Sequence, residues 1–323
     1  GKIIAPYTAH AISSAGFSVT EEETLRELGD GITVLKEHWI SHVAQSNPLR
    51  KTKIAAMLGL DSPTRPAAEK KLRHLREIGK RLIMDRIENG QLGKANDVLD
   101  FIIRSNEENG EVSMERNLED FMAMYGAGNS TTSSTLQFFI AEMVRNVHLL
   151  EELVREVDEI WVERGISRNS SNEEIVTALK DMEYLDAVLN ETLRHHPPIT
   201  FQWRNLQQDM TISNHKIPSG TRVMVSQEVL QHHPQHWKDP NTFDPCRFLG
   251  SKEIVPYTFV PFSIGPRRCI GKNFAILEMK IFIAIWLSRM TFEKFPESKE
   301  EIETKQQVLV SVTDNRVIIQ MRS

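Results

Sequence analysis

A ten-residue string near the C-terminal end of the chain constrains its fold and chemistry more than any other feature. The string runs from Phe262 to Gly271, reads Phe-Ser-Ile-Gly-Pro-Arg-Arg-Cys-Ile-Gly, and leads into an apolar helical pattern. A glycine-bearing loop therefore carries Cys269 to the start of a predicted helix, where free N–H groups and the helix dipole favour a thiolate. Arg267 and Arg268 add positive charge. Such a thiolate can be a nucleophile, a redox sensor or a metal ligand, whereas a lone cysteine is more often merely capped and buried.

Five positions of this string (Phe262, Gly265, Arg267, Cys269 and Gly271) resemble the haem-binding signature of the cytochrome P450 superfamily. The resemblance implies haem b as cofactor, with Cys269 as the axial ligand of the iron. It also implies that Arg267 pairs with a haem propionate and that Phe262 packs near the Cys269 sulfur. A thiolate ligand donates electron density to the haem iron, which favours O–O cleavage. Gly265 allows a tight turn close to a flat macrocycle.

A second motif pairs Glu191 with Arg194 on a predicted helix. Alone, an i,i+3 ion pair is weak evidence, because such pairs are common on surfaces and contribute only a few tenths of a kcal/mol. The pair resembles the Glu-x-x-Arg motif of the same superfamily, and Arg247 lies in the matching Pro-x-Arg-Phe string. The resemblance implies a buried structural triad of Glu191, Arg194 and Arg247 that fixes the loop carrying Cys269. Cys246 then occupies a variable position and is a bystander thiol.

A third motif interrupts a long helical pattern over residues 118–147 with Gly126 and Gly128. Glycine in a helix interior costs about 1 kcal/mol relative to alanine, so these residues need a structural or functional reason. Taken alone, they indicate close helix packing or a helix end.

The superfamily offers another reason for the same glycines. The string from Ala127 to Thr131 resembles the distal helix that crosses the haem, opened at Gly128 to make room for oxygen. Thr131 then matches the threonine that hydrogen-bonds iron-bound oxygen and helps to deliver protons. Ser130 stands where the family usually has Asp or Glu. A serine can relay a proton through water but cannot supply one as an acid.

Arg204 lies ten residues after Arg194, beyond a Pro-Pro break. The superfamily places a propionate-binding arginine at this offset, and a guanidinium suits a bidentate carboxylate contact. Without the resemblance, an exposed arginine with no ligand explains the residue as well.

The remaining pattern predicts a mainly α chain with small β portions. Further helices are predicted at 67–87, 151–162, 181–195 and 273–289, and strands at 210–212, 221–225, 308–312 and 316–321. The last two strands alternate like a pair joined by a turn at Asp314-Asn315. By resemblance, residues 1–323 are a single cytochrome P450 domain without its N-terminal part, since the chain begins at Gly1 and the superfamily's members are longer.

Composition excludes several other classes. The net charge of -5 argues against nucleic-acid binding. Only two cysteines are present, which argues against a disulfide framework and suits a reducing compartment. No apolar run approaches the roughly 18 residues of a membrane helix. By resemblance, the missing N-terminal part anchors the protein at the cytoplasmic face of the endoplasmic reticulum membrane.

The activity that the resemblance implies is insertion of one oxygen atom from O₂ into a C–H bond of an apolar substrate, a sterol or other lipid. Electrons come from NADPH through NADPH-cytochrome P450 reductase. The substrate pocket is expected around residues 121–128, 199–202 and 310–312, which are mostly apolar. Within the superfamily, strings at 191–198, 257–265 and 271–275 resemble the cholesterol 24-hydroxylase branch.

Three other functions remain open on the sequence. A haem-thiolate isomerase or dehydratase acting on peroxides needs no reductase; Ser130 favours it and Thr131 argues against it. A non-catalytic haem-binding protein would keep the ligand loop without turnover. A cysteine-nucleophile enzyme lacks a convincing base, because the histidines near the motifs show no Cys–His pairing pattern.

Overall fold

A computed structural model describes residues 3–29, 65–110, 113–250 and 254–296, and then 302, 304–305, 311–312 and 316–322. The chain divides into two compact units, residues 1–133 and 134–323. Helices account for most of the described residues, and the strands seen there form two-stranded sheets. The mainly helical class with small β portions is confirmed. The single domain over residues 1–323 stays a prediction.

The first unit is built from helices. The described helices are α1 (Ile4–Ala11), which continues into a π-helical turn (Ile12–Gly16), then α2 (Arg65–Glu88), α3 (Val98–Glu108) and the first two-thirds of α4 (Met114–Met143); residues 22–29 are also helical. The amphipathic helix predicted over residues 67–87 is confirmed by α2, which buries Leu75, Ile78 and Ile83. The sequence over residues 21–43 is mostly helix-permissive; residues 22–29 are helical, and residues 30–43 lie outside the described residues.

An aromatic cluster forms the centre of the first unit. The ring centroids of Phe17 and Phe121 are 4.6 Å apart, and the Tyr125 ring stacks on Phe121 at an interplanar angle of 3°. The Tyr125 hydroxyl donates to the Leu28 carbonyl over 2.7 Å, so its buried O–H is satisfied. A Cβ at Gly79 would lie 2.8 Å from side-chain atoms of Phe121, so this position of α2 packs too closely for any larger residue.

The second unit holds the remaining helices and the sheets. Its described helices are α5 (Val147–Glu163), α6 (Asn172–Ala178), α7 (Glu183–His195), α8 (Gln227–Gln231) and α9 (Lys272–Leu287). Helix α7 ends just before Pro197 and Pro198, as expected, because proline cannot continue a helix. Among the residues that the structure describes, no helix combines the length and the apolar character needed to cross a membrane.

The sheets are four antiparallel pairs. They pair β1 (Phe201–Asn205) with β4 (Arg222–Ser226), β2 (Met210–Ile212) with β3 (His215–Ile217), β5 (Met290–Lys294) with β8 (Val317–Met321), and β6 (Thr304–Lys305) with β7 (Ser311–Val312). The predicted strand at 210–212 is confirmed, and the one at 221–225 is shifted by a residue.

Over the described parts of the last two predicted strands, 311–312 and 316–321, their predicted pairing is wrong; residues 308–310 and the predicted turn at 314–315 lie outside the described residues. Strand β8 pairs with β5, in a register that sets Met290 opposite Met321, and β7 pairs with β6. Alternation along a strand shows that one of its faces is buried, but it carries no information about which strand lies alongside. The partner β5 is distant in sequence and contributes the buried Phe292.

Candidate functional site

The loop that carries Cys269 is closed by its own backbone. The Cys269 N–H donates to the Phe262 carbonyl over 2.8 Å, and Gly265 takes a φ of +70° at the start of a 3-10 turn. Such a φ favours glycine, which explains the residue at that position. Helix α9 begins at Lys272, three residues after Cys269. The cysteine was expected at the helix start; the structure places it just before, with its N–H already used within the loop.

The face around this cysteine is open and mixed in character. Cys269 is a free, exposed thiol, and Arg267 and Arg268 beside it are exposed. The flanking apolar side chains are exposed as well, Ile264 to 53% and Ile270 to 72%. Exposed apolar groups and cations around a free thiol fit a flat, apolar, iron-bearing ring with carboxylate substituents, such as haem. A Cβ at Gly265 would meet no atom within 4 Å, so the space beside the loop is clear.

The structure brings the three residues of the predicted triad together. The Arg194 guanidinium donates to both carboxylate oxygens of Glu191 over 2.7 Å each, and both side chains are fully buried. The Arg247 Nε lies 3.4 Å from Glu191 Oε1, which also accepts the Asp244 N–H over 2.8 Å. Burial raises the pKa of the Glu191 carboxyl, and the hydrogen bonds from Arg194 oppose that rise.

The two arginines of the triad also donate hydrogen bonds to backbone carbonyls. Arg194 donates to the carbonyls of Gln231 and Pro240 over 2.9 Å each and to that of Thr242 over 3.2 Å. Arg247 donates to the carbonyls of Lys238 and Asp239. Because all five N–H protons of the Arg194 guanidinium find acceptors, its buried charge is compensated and the segment at 238–247 is fixed.

Two buried glutamines, Gln227 and Gln231, form a clasp that the sequence did not reveal. The Gln231 side chain donates to the carbonyls of Leu193 and Arg194 over 3.0 and 3.1 Å, and it accepts the Val260 N–H over 3.1 Å. The Gln227 side chain donates to the Val260 carbonyl over 2.6 Å. Both polar groups of Val260 are thus held by this glutamine clasp.

The glutamine clasp connects the triad to the cysteine loop. Val260 precedes Phe262 by two residues, and the carbonyl of Phe262 accepts the Cys269 N–H. The end of α7 therefore positions the stem of the loop through one short helix. The sequence shows only the helix start and a helical spacing: Ser226 caps α8 by accepting the Val229 N–H, and the two glutamines are four residues apart.

A Gln231→Leu substitution should lower the free energy of unfolding by about 1–3 kcal/mol, because it leaves two carbonyls and an N–H buried without partners. The shape is nearly kept, so a cavity contributes little. Urea unfolding followed by circular dichroism measures the change. Gln235→Leu, at an exposed glutamine four residues away, is the matched control and should stay within about 0.5 kcal/mol of wild type. Equal effects of the two variants would show that the clasp is not structural.

Arg204 lies on β1 and is joined to the cysteine loop through Gln202. The Gln202 side-chain oxygen accepts from Arg204 over 2.9 Å and from the Ser263 hydroxyl over 2.9 Å. Arg204 also donates to the Trp203 carbonyl over 2.8 Å, and its side chain is exposed. A partly engaged, exposed guanidinium beside the loop retains N–H donors for a carboxylate ligand.

The structure shows no opening of the helix at Gly128, so this expectation is corrected. Helix α4 is continuous from Met114 to Met143. A Cβ on Gly128 would lie 3.0 Å from the Ile12 side chain, which makes close packing within the first unit the reason for this glycine. The Thr131 hydroxyl donates to the Ala127 carbonyl over 2.9 Å, and Ser130 is half-buried one residue earlier.

Two side chains from the expected substrate pocket lie in cores instead. Phe121 belongs to the aromatic cluster of the first unit, and Val312 packs with Phe138 and Ala141 in the second. Both side chains are buried, as is usual for phenylalanine and valine.

A free thiol on a closed loop, linked through the glutamine clasp to a buried Glu-x-x-Arg pair, is the arrangement of a haem-thiolate protein. The cytochrome P450 family model matches residues 27–321, and the chain belongs to the cytochrome P450 family. This family binds haem b through a cysteine thiolate. The fold expected from the resemblance is therefore confirmed.

The matches to individual relatives each cover only a fraction of this chain. Cytochrome P450 3A11 of Mus musculus is 33% identical over 186 residues, which are 57% of this chain and 36% of the relative. Thromboxane-A synthase of Sus scrofa is 33% identical over 57% of this chain and 34% of its own length. Cytochrome P450 4c21 of Blattella germanica is 27% identical over 73% and 47%. The chain thus spans a third to a half of these relatives, and they do not support the cholesterol 24-hydroxylase branch.

Proposed function

We propose that the chain is the haem-binding part of a monooxygenase that inserts one oxygen atom from O₂ into a C–H bond of an apolar substrate. The observation that carries this proposal is the free, exposed thiol of Cys269 on a loop anchored by the triad and the glutamine clasp, in a chain of the cytochrome P450 family. Sterols and other lipids are the substrate class that the resemblance favours.

The residues around the loop have separate tasks in this proposal. Haem bound through a thiolate supplies oxygen activation and O–O cleavage. Cys269 provides the thiolate, and Phe262 packs near its sulfur. Arg267 and Arg204 neutralise the propionates through charge-assisted hydrogen bonds. The glycines at 265 and 271 keep the backbone close to the ring.

Proton delivery falls to α4. Thr131 and Ser130 carry hydroxyls that can accept and donate protons, and they lie beside Ala127 and Gly128. The Thr131 hydroxyl donates a hydrogen bond to the Ala127 carbonyl, and rotation of the hydroxyl turns this O–H toward another acceptor. Because Ser130 is not an acid, protons must reach Thr131 through water.

A Thr131→Val substitution should lower the amount of product formed per O₂ consumed by roughly 10–100-fold, because an assisting proton donor is lost. The haem spectrum should stay unchanged, since the ligand loop is untouched. Product and O₂ consumption measured in parallel test this. Thr211→Val, on the exposed strand β2, is a control in which coupling should equal that of wild type. Unchanged coupling in Thr131→Val would remove this residue from the proton path.

Redox partner and location follow the resemblance. NADPH-cytochrome P450 reductase is the proposed electron donor, docking on the side of the protein nearest Cys269. The proposed location is the cytoplasmic face of the endoplasmic reticulum membrane. The test supplies the full-length protein with reductase, NADPH, ¹⁸O₂ and a lipid panel. One ¹⁸O atom in a hydroxylated product supports a monooxygenase, and NADPH-independent rearrangement of a lipid peroxide supports the isomerase that Ser130 favours.

A further inference from the structure

Three potential ligand atoms, none of them from the cysteine loop, converge at the end of helix α7. His196 Nε2 lies 2.6 Å from Glu142 Oε1 and 3.2 Å from His195 Nδ1, and the third separation, from His195 Nδ1 to Glu142 Oε1, is 3.9 Å. Glu142 comes from the last turn of α4, and the two histidines end α7 and follow it. All three belong to the second unit.

Each of these side chains is oriented by a further contact. The other nitrogen of His195, Nε2, lies 3.1 Å from the Asn241 carbonyl and must donate to it, which leaves Nδ1 with its lone pair exposed to the cluster. The second oxygen of Glu142 accepts from Asn146 over 3.0 Å. The His196 ring stacks on Phe138 with centroids 4.3 Å apart. Metal-binding histidines and carboxylates are typically fixed by outer contacts of this kind.

One proton now serves two acceptors in this cluster. Glu142 Oε1 and His195 Nδ1 are both acceptors, and only the N–H of His196 lies between them. That proton cannot satisfy both well, because a hydrogen bond weakens steeply as its angle falls. A cation in place of the proton would contact all three lone pairs.

The spacing admits such a cation. The three separations place a point about 2.0 Å from all three atoms, and zinc binds imidazole nitrogen and carboxylate oxygen at about 2.0–2.2 Å. For tetrahedral coordination, the distance from His196 Nε2 to Glu142 Oε1 must increase and the distance from His195 Nδ1 to Glu142 Oε1 must decrease, each by less than about 1 Å. The histidine side chains are 17% and 14% exposed, which leaves a side for water as the fourth ligand.

We propose that Glu142, His195 and His196 form a binding site for a divalent cation of the zinc class. Two imidazoles and one carboxylate are a ligand set that Zn²⁺ and Co²⁺ accept, whereas Mg²⁺ and Ca²⁺ require mostly oxygen ligands. A bound cation would link the end of α4 to the end of α7, next to Arg194. The site does not depend on haem binding or on the proposed activity.

The test titrates the 323-residue chain, without haem, with Co²⁺ by absorption and with Zn²⁺ by calorimetry. We expect one tight site with tetrahedral Co²⁺ absorption, displaced by Zn²⁺ and not by Mg²⁺. His195→Leu should weaken binding at least about 10–100-fold, since loss of even an outer contact has that effect. Glu142→Gln, which keeps the side chain's shape, should weaken it as well. Circular dichroism establishes that each variant is folded.

A matched control is the pair His233 and His236, whose rings are 5.3 Å apart elsewhere in the second unit. The double variant His233→Gln/His236→Gln should retain wild-type Zn²⁺ affinity. Three results would overturn the proposal: no tight site in the wild-type chain, wild-type affinity in both folded cluster variants, or thiolate-to-cobalt charge transfer, which would place the cation on a cysteine.

Discussion

An Arg194→Met variant should lose about 3–5 kcal/mol of unfolding free energy, because it leaves the Glu191 carboxylate buried with its main partner removed. Glu191 and Arg194 are both fully buried and share two hydrogen bonds of 2.7 Å. The guanidinium also holds the carbonyls of Gln231, Pro240 and Thr242, and these lose their donor too. Urea unfolding followed by circular dichroism measures the effect.

The exposed pair of Arg155 and Glu152 is the matched control, since it has the same i,i+3 spacing at 3.7 Å but lies in solvent. Arg155→Met should change the free energy of unfolding by less than about 1 kcal/mol. Adding Glu191→Met to Arg194→Met should recover part of the loss, because the unpaired buried charge is removed. A loss in Arg194→Met no larger than in the control would show that the triad does not hold the fold.

The largest effect on activity is expected from Cys269→Ser, which should abolish hydroxylation. A serine hydroxyl is not ionised near neutral pH and cannot supply the electron density that a thiolate gives to haem iron. The side chain is exposed, so the free energy of unfolding should change by no more than about 0.5 kcal/mol. Product formation with reductase and NADPH is the measurement.

Cys246→Ser is the control for this loss, because Cys246 is the other cysteine of the chain and is also exposed. It should retain wild-type turnover, as its thiol lies outside the ligand loop. Turnover that survives in Cys269→Ser, or that is lost equally in both variants, would contradict the assignment of the ligand.

Helix periodicity and motif spacing predicted much of this architecture. The apolar face of α2 and the proline stop after α7 follow from local physics, which a sequence displays directly. Glu191, Arg194 and Arg247 were identified only through their resemblance to a family. The structure explains that motif, because every backbone carbonyl that the two guanidinium groups contact belongs to the segment at 238–247 or to Gln231.

Contacts between distant segments were not predictable in the same way. Gln227 and Gln231 carry no distinctive chemistry, and their role depends on where the Val260 peptide groups lie. The partner of β8 is β5, and the strand pattern alone could not choose it. In the sequence, Gly128 was compatible with either close packing or an opened helix. The position of the Ile12 side chain, known only from the structure, favours close packing.

The most direct test of the central claim is the absorption spectrum of the reduced, carbon monoxide-treated chain after addition of haem. Wild type and Cys246→Ser should show a strongly red-shifted Soret band, and Cys269→Ser should lack it, because only Cys269 supplies the thiolate. A band at the ordinary imidazole-haem position in the wild-type chain, or an unaltered red-shifted band in Cys269→Ser, would contradict thiolate ligation by Cys269.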